Sequence, residues 1–350
     1  MSDKALLEGL LNIYSPTLEE DRAVSYLVKQ MKALGYRAET DGAGNAIGTR
    51  GEGENEIILL GHIDTVPGFI PVRTDGDNLY GRGSVDAKGP LACFVCAGAR
   101  VTPPAGWKVR VIGAVGEEGD SRGAHFVRDR YRPKAVIIGE PSKWDRITLG
   151  FKGSVWAQYT VCQNQSHTAH RIESAPERAV RFWNELLAWS QSLEPEGEMS
   201  FYQVTPSLRA IHSDSPDGFQ ETASVKINIR IPPAVSVADL TEKMKELAGD
   251  GELQVEDGIN AYRADKNTFV VRAMLNGIRH VGGKPGFTYK TGTADMNIVA
   301  PAWNCPSLSY GPGDSSLDHT PDEHTSISGY LKGIEALSKG LDLMMREENL

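Results

Sequence analysis

Histidine and acidic side chains recur along this 350-residue chain where short apolar runs end. The set comprises His62, Asp64, Asp86, Glu117, Glu118, Glu140 and His319. Imidazoles and carboxylates without a thiolate suit a catalytic Zn, Co or Mn ion better than a structural, cysteine-rich zinc site. Two histidines and three carboxylates are enough for two metal ions that share one carboxylate. Such a pair of ions lowers the pKa of a bridging water to near neutrality, and a carboxylate left over could shuttle its proton.

His62 and Asp64 follow directly after the apolar run at residues 57–60. That run predicts a strand buried on both faces of an α/β sheet. Residues two apart on a strand project from the same face, so the two side chains would act together. Open α/β sheets bind their ligands at the carboxyl ends of strands. The alternative, which this stretch alone leaves open, is a solvated strand end with a chance His-x-Asp pair.

Three predicted strands, at residues 57–61, 109–115 and 135–138, each end in a polar cluster, and helices separate them. A glycine-rich loop over residues 78–86 carries Asp86. Any one of the candidate residues, taken alone, is more often a surface or structural residue. Their coincidence at successive strand ends favours one site along one edge of an α/β sheet.

The middle of the chain, at residues 151–258, has a different pattern. Apolar residues alternate with polar ones from Val225 to Ile231, which predicts a strand with one solvated face. The predicted elements follow the order β-α-β-β-α-β of a ferredoxin-like sandwich. We therefore predict a catalytic domain split into residues 1–150 and 259–350 around an inserted domain at residues 151–258.

The composition narrows the function classes. The chain is 40% hydrophobic and 24% charged, which is ordinary for a globular protein, and its net charge of -9 argues against a general nucleic-acid binder. No apolar run approaches the ~20 residues that cross a bilayer, so no membrane partner is expected. The N-terminus lacks the basic and apolar segments of a secretory signal, which predicts a cytoplasmic location.

Four cysteines do not form a disulfide framework in a chain of this length. Cys93 and Cys96 form a Cys-x-x-Cys pair inside an apolar helical run, which could be redox-active or half of a zinc site. Because Cys162 and Cys305 are isolated in the sequence, no second pair accompanies them. We predict that the pair is buried and behaves as two small hydrophobic residues.

The motifs that carry the candidate site resemble those of a known family. They occur in order at residues 61–67, 81–89, 117–119, 139–142, 292–295, 311–313 and 318–323. In these motifs the chain resembles the zinc-dependent aminoacylase and dipeptidase family, which includes acetylornithine deacetylase and succinyl-diaminopimelate desuccinylase. The resemblance implies a dinuclear-metal peptidase domain with a mixed central sheet flanked by helices. It also implies that the inserted ferredoxin-like domain is a lid and forms a homodimer.

The resemblance assigns five metal ligands to this chain. His62 and Glu140 would bind one ion, Glu118 and His319 the other, and Asp86 both. The implied cofactors are two divalent ions, Zn or alternatively Co. The family also has a cis peptide bond after the shared aspartate, which is expected here between Asp86 and its neighbour Ala87.

The resemblance implies further roles around the metal ions. Glu117 would be the general base that takes the proton of the attacking water and returns it to the leaving amine. Asp64 would hold the first ion's histidine in orientation. His167, contributed by the inserted domain to the partner's active site, would stabilise the oxyanion, and Thr293 would contact the substrate. His170 is expected to be structural.

The resemblance over the whole chain is greatest to family members that release lysine or ornithine from a small acidic amino-group carrier protein. That activity belongs to lysine and arginine biosynthesis. The alternatives are a deacylase of free acyl amino acids or a dipeptidase and, from a different class, a non-enzymatic binding protein. One departure bears on the substrate, because an Asn-x-x-Pro segment of many relatives is missing near Asp217.

Overall fold

The computed structural model describes residues 2–167, 169, 172–193, 199–256 and 258–347. Its helices are α1 (Asp3–Leu11), α2 (Asp21–Ala33), α3 (Lys88–Arg100), α4 (Arg122–Arg128), α5 (Ala175–Ser192), α6 (Val237–Ala248), α7 (Phe269–His280), α8 (Met296–Trp303) and α9 (Ile327–Glu347). Short 3₁₀ turns cover Ser200–Tyr202 and Ser315–Leu317.

The strands, in chain order, are β1 (Arg37–Thr40), β2 (Ala46–Gly51), β3 (Asn55–His62), β4 (Arg73–Asp75), β5 (Asn78–Tyr80), β6 (Trp107–Ala114), β7 (Ala135–Gly139), β8 (Arg146–Phe151), β9 (Gly153–Asn164), β10 (Thr205–Asp214), β11 (Gln220–Ile231), β12 (Glu252–Val255), β13 (Tyr262–Arg263), β14 (Gly286–Lys290), β15 (Ser307–Ser309) and β16 (His324–Ser326). Among the described residues, no helix combines the length and the apolar character needed to cross a membrane.

The chain divides into two compact units. The first runs as far as Gly150 and also contains Ala264–Tyr289 and the chain from Ala294 onward. The second contains Phe151–Arg263 and the short segment Lys290–Thr293. The sequence predicted a return to the first domain at residue 259, with residues 290–293 inside that domain, whereas the structure returns at Ala264 and has Lys290–Thr293 in the second unit. The roles predicted for the two domains, catalysis and dimerisation, stay predictions.

The first unit is built on a mixed sheet with the strand order β1-β2-β6-β3-β7-β15-β8, in which β14 also pairs with β8. The neighbours β6 and β7 run parallel to β3, and β15 runs parallel to β7. Ile57, Ile58, Leu59 and Leu60 of β3 are fully buried, as expected for a central strand between helical layers. The carboxyl ends of the three parallel strands β6, β3 and β7 therefore lie along one edge of this sheet. A mixed sheet flanked by helices confirms the predicted α/β class.

The second unit contains an antiparallel sheet with the order β10-β11-β9-β12. Along the chain its elements run β9-α5-β10-β11-α6-β12, which is the β-α-β-β-α-β order of the elements predicted from the sequence. Ser174 and Ser236 cap the two helices with reciprocal side-chain hydrogen bonds, which fixes where α5 and α6 begin. Apolar residues of β9 and β11 and of both helices form one core.

Candidate metal centre

The parallel strands bring three of the predicted site segments to one edge of the sheet. His62 is the last residue of β3 and lies opposite Ala114 of β6, so Glu117 and Glu118 follow just beyond. Gly61 lies opposite Gly139 of β7, and Glu140 comes next in the chain. Because the registers match, side chains from three separate segments meet where the strands end.

Three sets of donor atoms among the described residues lie close enough together to hold a metal ion, with all atoms of a set within 4.8 Å of one another. They are His62, Asp86 and Glu140; Asp86, Glu118 and His319; and His62, Glu117 and Glu118. The first two sets share Asp86 and have the membership that the resemblance implies. Their donors are imidazole nitrogens and carboxylate oxygens, which fit Zn or Co. Metal binding by these residues stays a prediction.

Asp86 lies between the two histidines. Its Oδ1 is 3.1 Å from Nε2 of His62, and its Oδ2 is 3.2 Å from Nε2 of His319. Nε2 of His319 is also 2.9 Å from Oε1 of Glu118, and Nε2 of His62 is 3.8 Å from Oε1 of Glu140. One carboxylate thus offers one oxygen to each set, which is the arrangement that a shared ligand requires. The peptide bond between Asp86 and Ala87 is cis, as expected.

Asp64 is fully buried and contacts more than the first histidine. Nδ1 of His62 lies 3.0 Å from the Asp64 carbonyl oxygen and 3.5 Å from its Oδ1. The backbone N–H groups of Glu117 and Glu118 donate to the two Asp64 carboxylate oxygens at 3.0 and 3.1 Å, and the Thr17 hydroxyl donates at 2.7 Å. Asp64 therefore fixes the loop of the two glutamates as well as the histidine.

The pKa values at this site are shifted because several carboxyl groups surround two imidazole rings. Burial, followed by the charge of Glu140, raises the pKa of Glu117 well above its usual range. Burial and then the charge of Asp86 do the same for the pKa of Glu140. Hydrogen bonds to Asp86 and then Glu118 raise the pKa of His319 to about 10. Metal ions compete with protons for such donors. A divalent cation bound here would offset the repulsion between the neighbouring carboxylates.

Two functional candidates were missed by the sequence analysis. Glu323 is 0% exposed and accepts hydrogen bonds from the loop that carries Asp86. Asp295, just before α8, is buried, and its Oδ1 has no hydrogen-bond partner among the described residues. Burial raises the pKa of Asp295 to about 7, and the charge of Asp64 adds to the shift. Both residues lie inside the motifs quoted above, which was the only signal for them in the sequence.

The remaining predicted residues lie in the second unit. Nδ1 of His167 accepts a hydrogen bond from the backbone N–H of Ala169 at 3.1 Å. Nη1 of Arg230 donates to the Thr293 hydroxyl at 3.3 Å. The roles of His167 and Thr293 stay predictions, and His170 lies outside the described residues.

The Cys-x-x-Cys pair is buried, and both thiols are free. Burial raises the pKa of Cys93 well above its usual range and that of Cys96 to about 12. A thiol with such a pKa carries almost no reactive thiolate near neutral pH. The expectation that this pair is part of the hydrophobic core is confirmed.

Residues 58–342 match the family model described as Peptidase family M20/M25/M40. The chain belongs to peptidase family M20/M25/M40. It is therefore a hydrolase of a metal-dependent family whose sites are typically dinuclear. The match runs from the strand that ends at His62 to the C-terminal helix, across both units.

Relatives within this family agree over the whole chain. The LysW-lysine hydrolase of Deinococcus radiodurans is 40% identical over 97% of this chain and 96% of its own length. A putative LysW-lysine/LysW-ornithine hydrolase of Thermococcus kodakarensis is also 40% identical, over 95% of this chain and 89% of its own length.

Comparison with solved structures of low sequence identity supports the fold. An M20 family metallo-carboxypeptidase of Sulfolobus solfataricus superposes with a TM-score of 0.77 at 17% identity, over 99% of this chain and 100% of its own. A tripeptidase of Staphylococcus aureus has a TM-score of 0.79 at 18% identity and covers 99% of both chains.

Proposed function

We propose that this M20 hydrolase cleaves the amide bond that links lysine or ornithine to a small acidic carrier protein of the LysW kind. The observation that carries the proposal is the 40% identity, over 97% of the chain, to a LysW-lysine hydrolase. The complete set of donors at the candidate metal centre argues against a non-enzymatic binding member, which would not need them. We assign the activity to lysine and arginine biosynthesis in the cytoplasm.

The proposed cofactors are two divalent ions, Zn or Co, held by His62, Asp86 and Glu140 and by Asp86, Glu118 and His319. When bound, such ions polarise the scissile carbonyl and make water nucleophilic near neutral pH. Asp64 positions both halves of this centre because it touches His62 and also the backbone of the two glutamates.

Glu117 is proposed as the general base. Its carboxylate is partly buried, lies 4.0 Å from His62 Nε2, and belongs to neither of the two sets that share Asp86. A partly buried carboxylate with a raised pKa is a better proton carrier near neutral pH than an ordinary one. Glu117 would take a proton from the attacking water and return it to the nitrogen of the leaving amine.

For the second unit, we propose a role in binding the carboxylate of the substrate. An amino acid linked to a carrier through an amino group retains its carboxylate. The Arg230 guanidinium is hydrogen-bonded to Thr293, and it offers the fork of donors that suits a carboxylate. The buried Lys152 ammonium donates to Thr205, the strand neighbour of Arg230, and adds a second positive charge. His167 is proposed to stabilise the oxyanion in the partner of a homodimer formed through this unit.

A competition between substrates tests the proposal. The metal-loaded enzyme is assayed with the purified carrier–lysine and carrier–ornithine conjugates beside acetyllysine and acetylornithine. We expect kcat/KM to be at least about tenfold higher for a conjugate, since a cognate contact is worth on the order of 1.4 kcal/mol or more. Equal or higher kcat/KM for the free acyl amino acids would support the deacylase alternative instead.

A further inference from the structure

A buried ion pair lies beside the metal centre and has no part in the chemistry proposed above. Oε2 of Glu323 accepts a hydrogen bond from Nη1 of Arg82 at 2.6 Å. The two residues are 0% and 7% exposed. Burying two charges is costly unless their geometry is well fixed and their remaining hydrogen bonds are satisfied. The contacts of both partners therefore indicate what the pair is for.

The other oxygen of Glu323 binds the loop that carries the shared ligand. Oε1 accepts from the backbone N–H groups of Gly83, Val85 and Asp86, at 3.0, 2.9 and 3.1 Å. The last of these groups belongs to the shared aspartate itself. Three donors on one oxygen hold the loop backbone in a single position, and Asp86 must keep that position to offer one oxygen to each histidine.

Arg82 extends the connection to the segment of the first histidine. Its Nε donates to the carbonyl oxygen of Gly68 at 2.9 Å, in the loop that follows His62. Glu323 itself comes four residues after His319. One ion pair therefore ties together the three chain segments that carry His62, Asp86 and His319.

We propose that Arg82 and Glu323 are positioning residues that set Asp86 between the two metal sites. The inference rests on the proposed metal centre. Outer hydrogen-bonding partners of metal ligands typically govern metal affinity by about 10- to 100-fold. Because Asp86 is shared, loss of the pair weakens the binding of both ions and not of one.

The test compares Glu323→Gln with a matched pair elsewhere in the first unit. Glutamine keeps an oxygen for the backbone N–H groups but presents its amide to Arg82, whose Nη1 then loses the acceptor Oε2. The control is Glu56→Gln, because Glu56 is buried and pairs with Arg110 at 2.6 Å, near the opposite end of β3. Zinc affinity is measured by competition with dipicolinate, the absorption of the Co²⁺-loaded protein reports ligand geometry, and circular dichroism reports folding.

We expect Glu323→Gln to lower the affinity for both zinc equivalents by about 10- to 100-fold and to change the Co²⁺ spectrum, while Glu56→Gln changes neither. Unchanged zinc affinity in folded Glu323→Gln would overturn the inference alone, as would an equal loss of affinity in Glu56→Gln. A wild-type chain that binds no zinc would overturn the metal centre as well. If Glu323→Gln does not fold, Arg82→Lys takes its place; it keeps the charge but loses the fork that reaches Gly68, and the same outcomes decide.

Discussion

The carboxylates at the two ends of the central sheet have different ion-pair partners. At the amino ends of β3 and β6, Glu56 pairs with Arg110, and the nearby Arg37 pairs with Glu52. At the carboxyl ends, Asp86, Glu118 and the other site carboxylates have the two histidines as their ion-pair partners within the described part of the chain. One end pairs these two acids with arginines, which stay charged, and the other leaves acids crowded around two titratable rings.

The difference indicates what each end is for. An arginine neutralises a carboxylate permanently and occupies the lone pairs that a metal ion would need. A cluster of acids paired only with imidazoles keeps those lone pairs available, at the cost of mutual repulsion until a cation binds. The arginine-paired end accordingly supports the fold, while the histidine-paired end is reserved for ligands. Substitutions at the two ends should therefore separate stability from catalysis.

The largest expected effect comes from the carboxyl end. Glu117→Gln removes the proposed proton carrier and keeps the shape of the side chain. We expect kcat to fall by about 10² to 10⁴-fold, with metal content and melting temperature close to those of the wild type. Steady-state kinetics together with metal analysis check this, and retained turnover would remove Glu117 as the general base.

A smaller loss is expected from Asp64→Asn. The amide can accept only on one side, so one of the backbone N–H groups of Glu117 and Glu118 loses its acceptor. We expect metal affinity or kcat/KM to fall by about 10- to 100-fold. Zinc competition and kinetics measure the two quantities separately. An effect confined to melting temperature would mean that Asp64 only supports the fold.

At the other end of the sheet, Glu56→Gln should give the opposite result. Breaking this largely buried pair leaves Arg110 without its acceptor and should lower the free energy of unfolding by about 3 kcal/mol. We expect kcat/KM of the folded enzyme to be unchanged. Denaturant titration and kinetics on the same preparation provide the check. A parallel fall in kcat/KM would contradict the view that this end of the sheet affects stability and not catalysis.

The smallest effect concerns pH and the metal-stripped chain. The pKa of His319 is raised from 6.5 to about 10, so its protonated form favours the folded state. This stabilisation is complete below about pH 6.5 and is lost as the pH rises through about 10. The free energy of unfolding of the stripped chain should therefore decrease over this range more than that of the zinc-loaded chain, where a metal replaces the proton. Equal slopes in denaturant titrations would contradict the assignment.

Local sequence patterns predicted the strands that carry the site residues. They did not predict most of the contacts between those residues. The apolar run before His62 predicted β3, and the same reasoning found β6 and β7, because strand burial is visible in the local sequence. The strand β8 (Arg146–Phe151) was not predicted, and the predicted inserted domain began at residue 151, which is the last residue of this strand.

Long-range partners of charged residues were beyond the reach of such patterns. Glu323 lies 241 residues from Arg82 in sequence, and the motif that contains Glu323 does not show which residue it pairs with. Asp64 was predicted as the residue that orients His62, but its hydrogen bonds to the backbone of Glu117 and Glu118 depend on how two strand ends meet. Periodicity predicts which face a residue occupies, and tertiary packing decides what it touches.

The proposed metal centre, at the carboxyl ends of β6, β3 and β7, consists of two divalent ions that share Asp86. Equilibrium dialysis against Zn²⁺, with the wild type beside Asp86→Ala, tests it most directly. We expect two ions bound per wild-type chain and the loss of both at the same free zinc concentration in the variant, with circular dichroism unchanged. One ion or none in the wild type, or two ions held with undiminished affinity by Asp86→Ala, would contradict it.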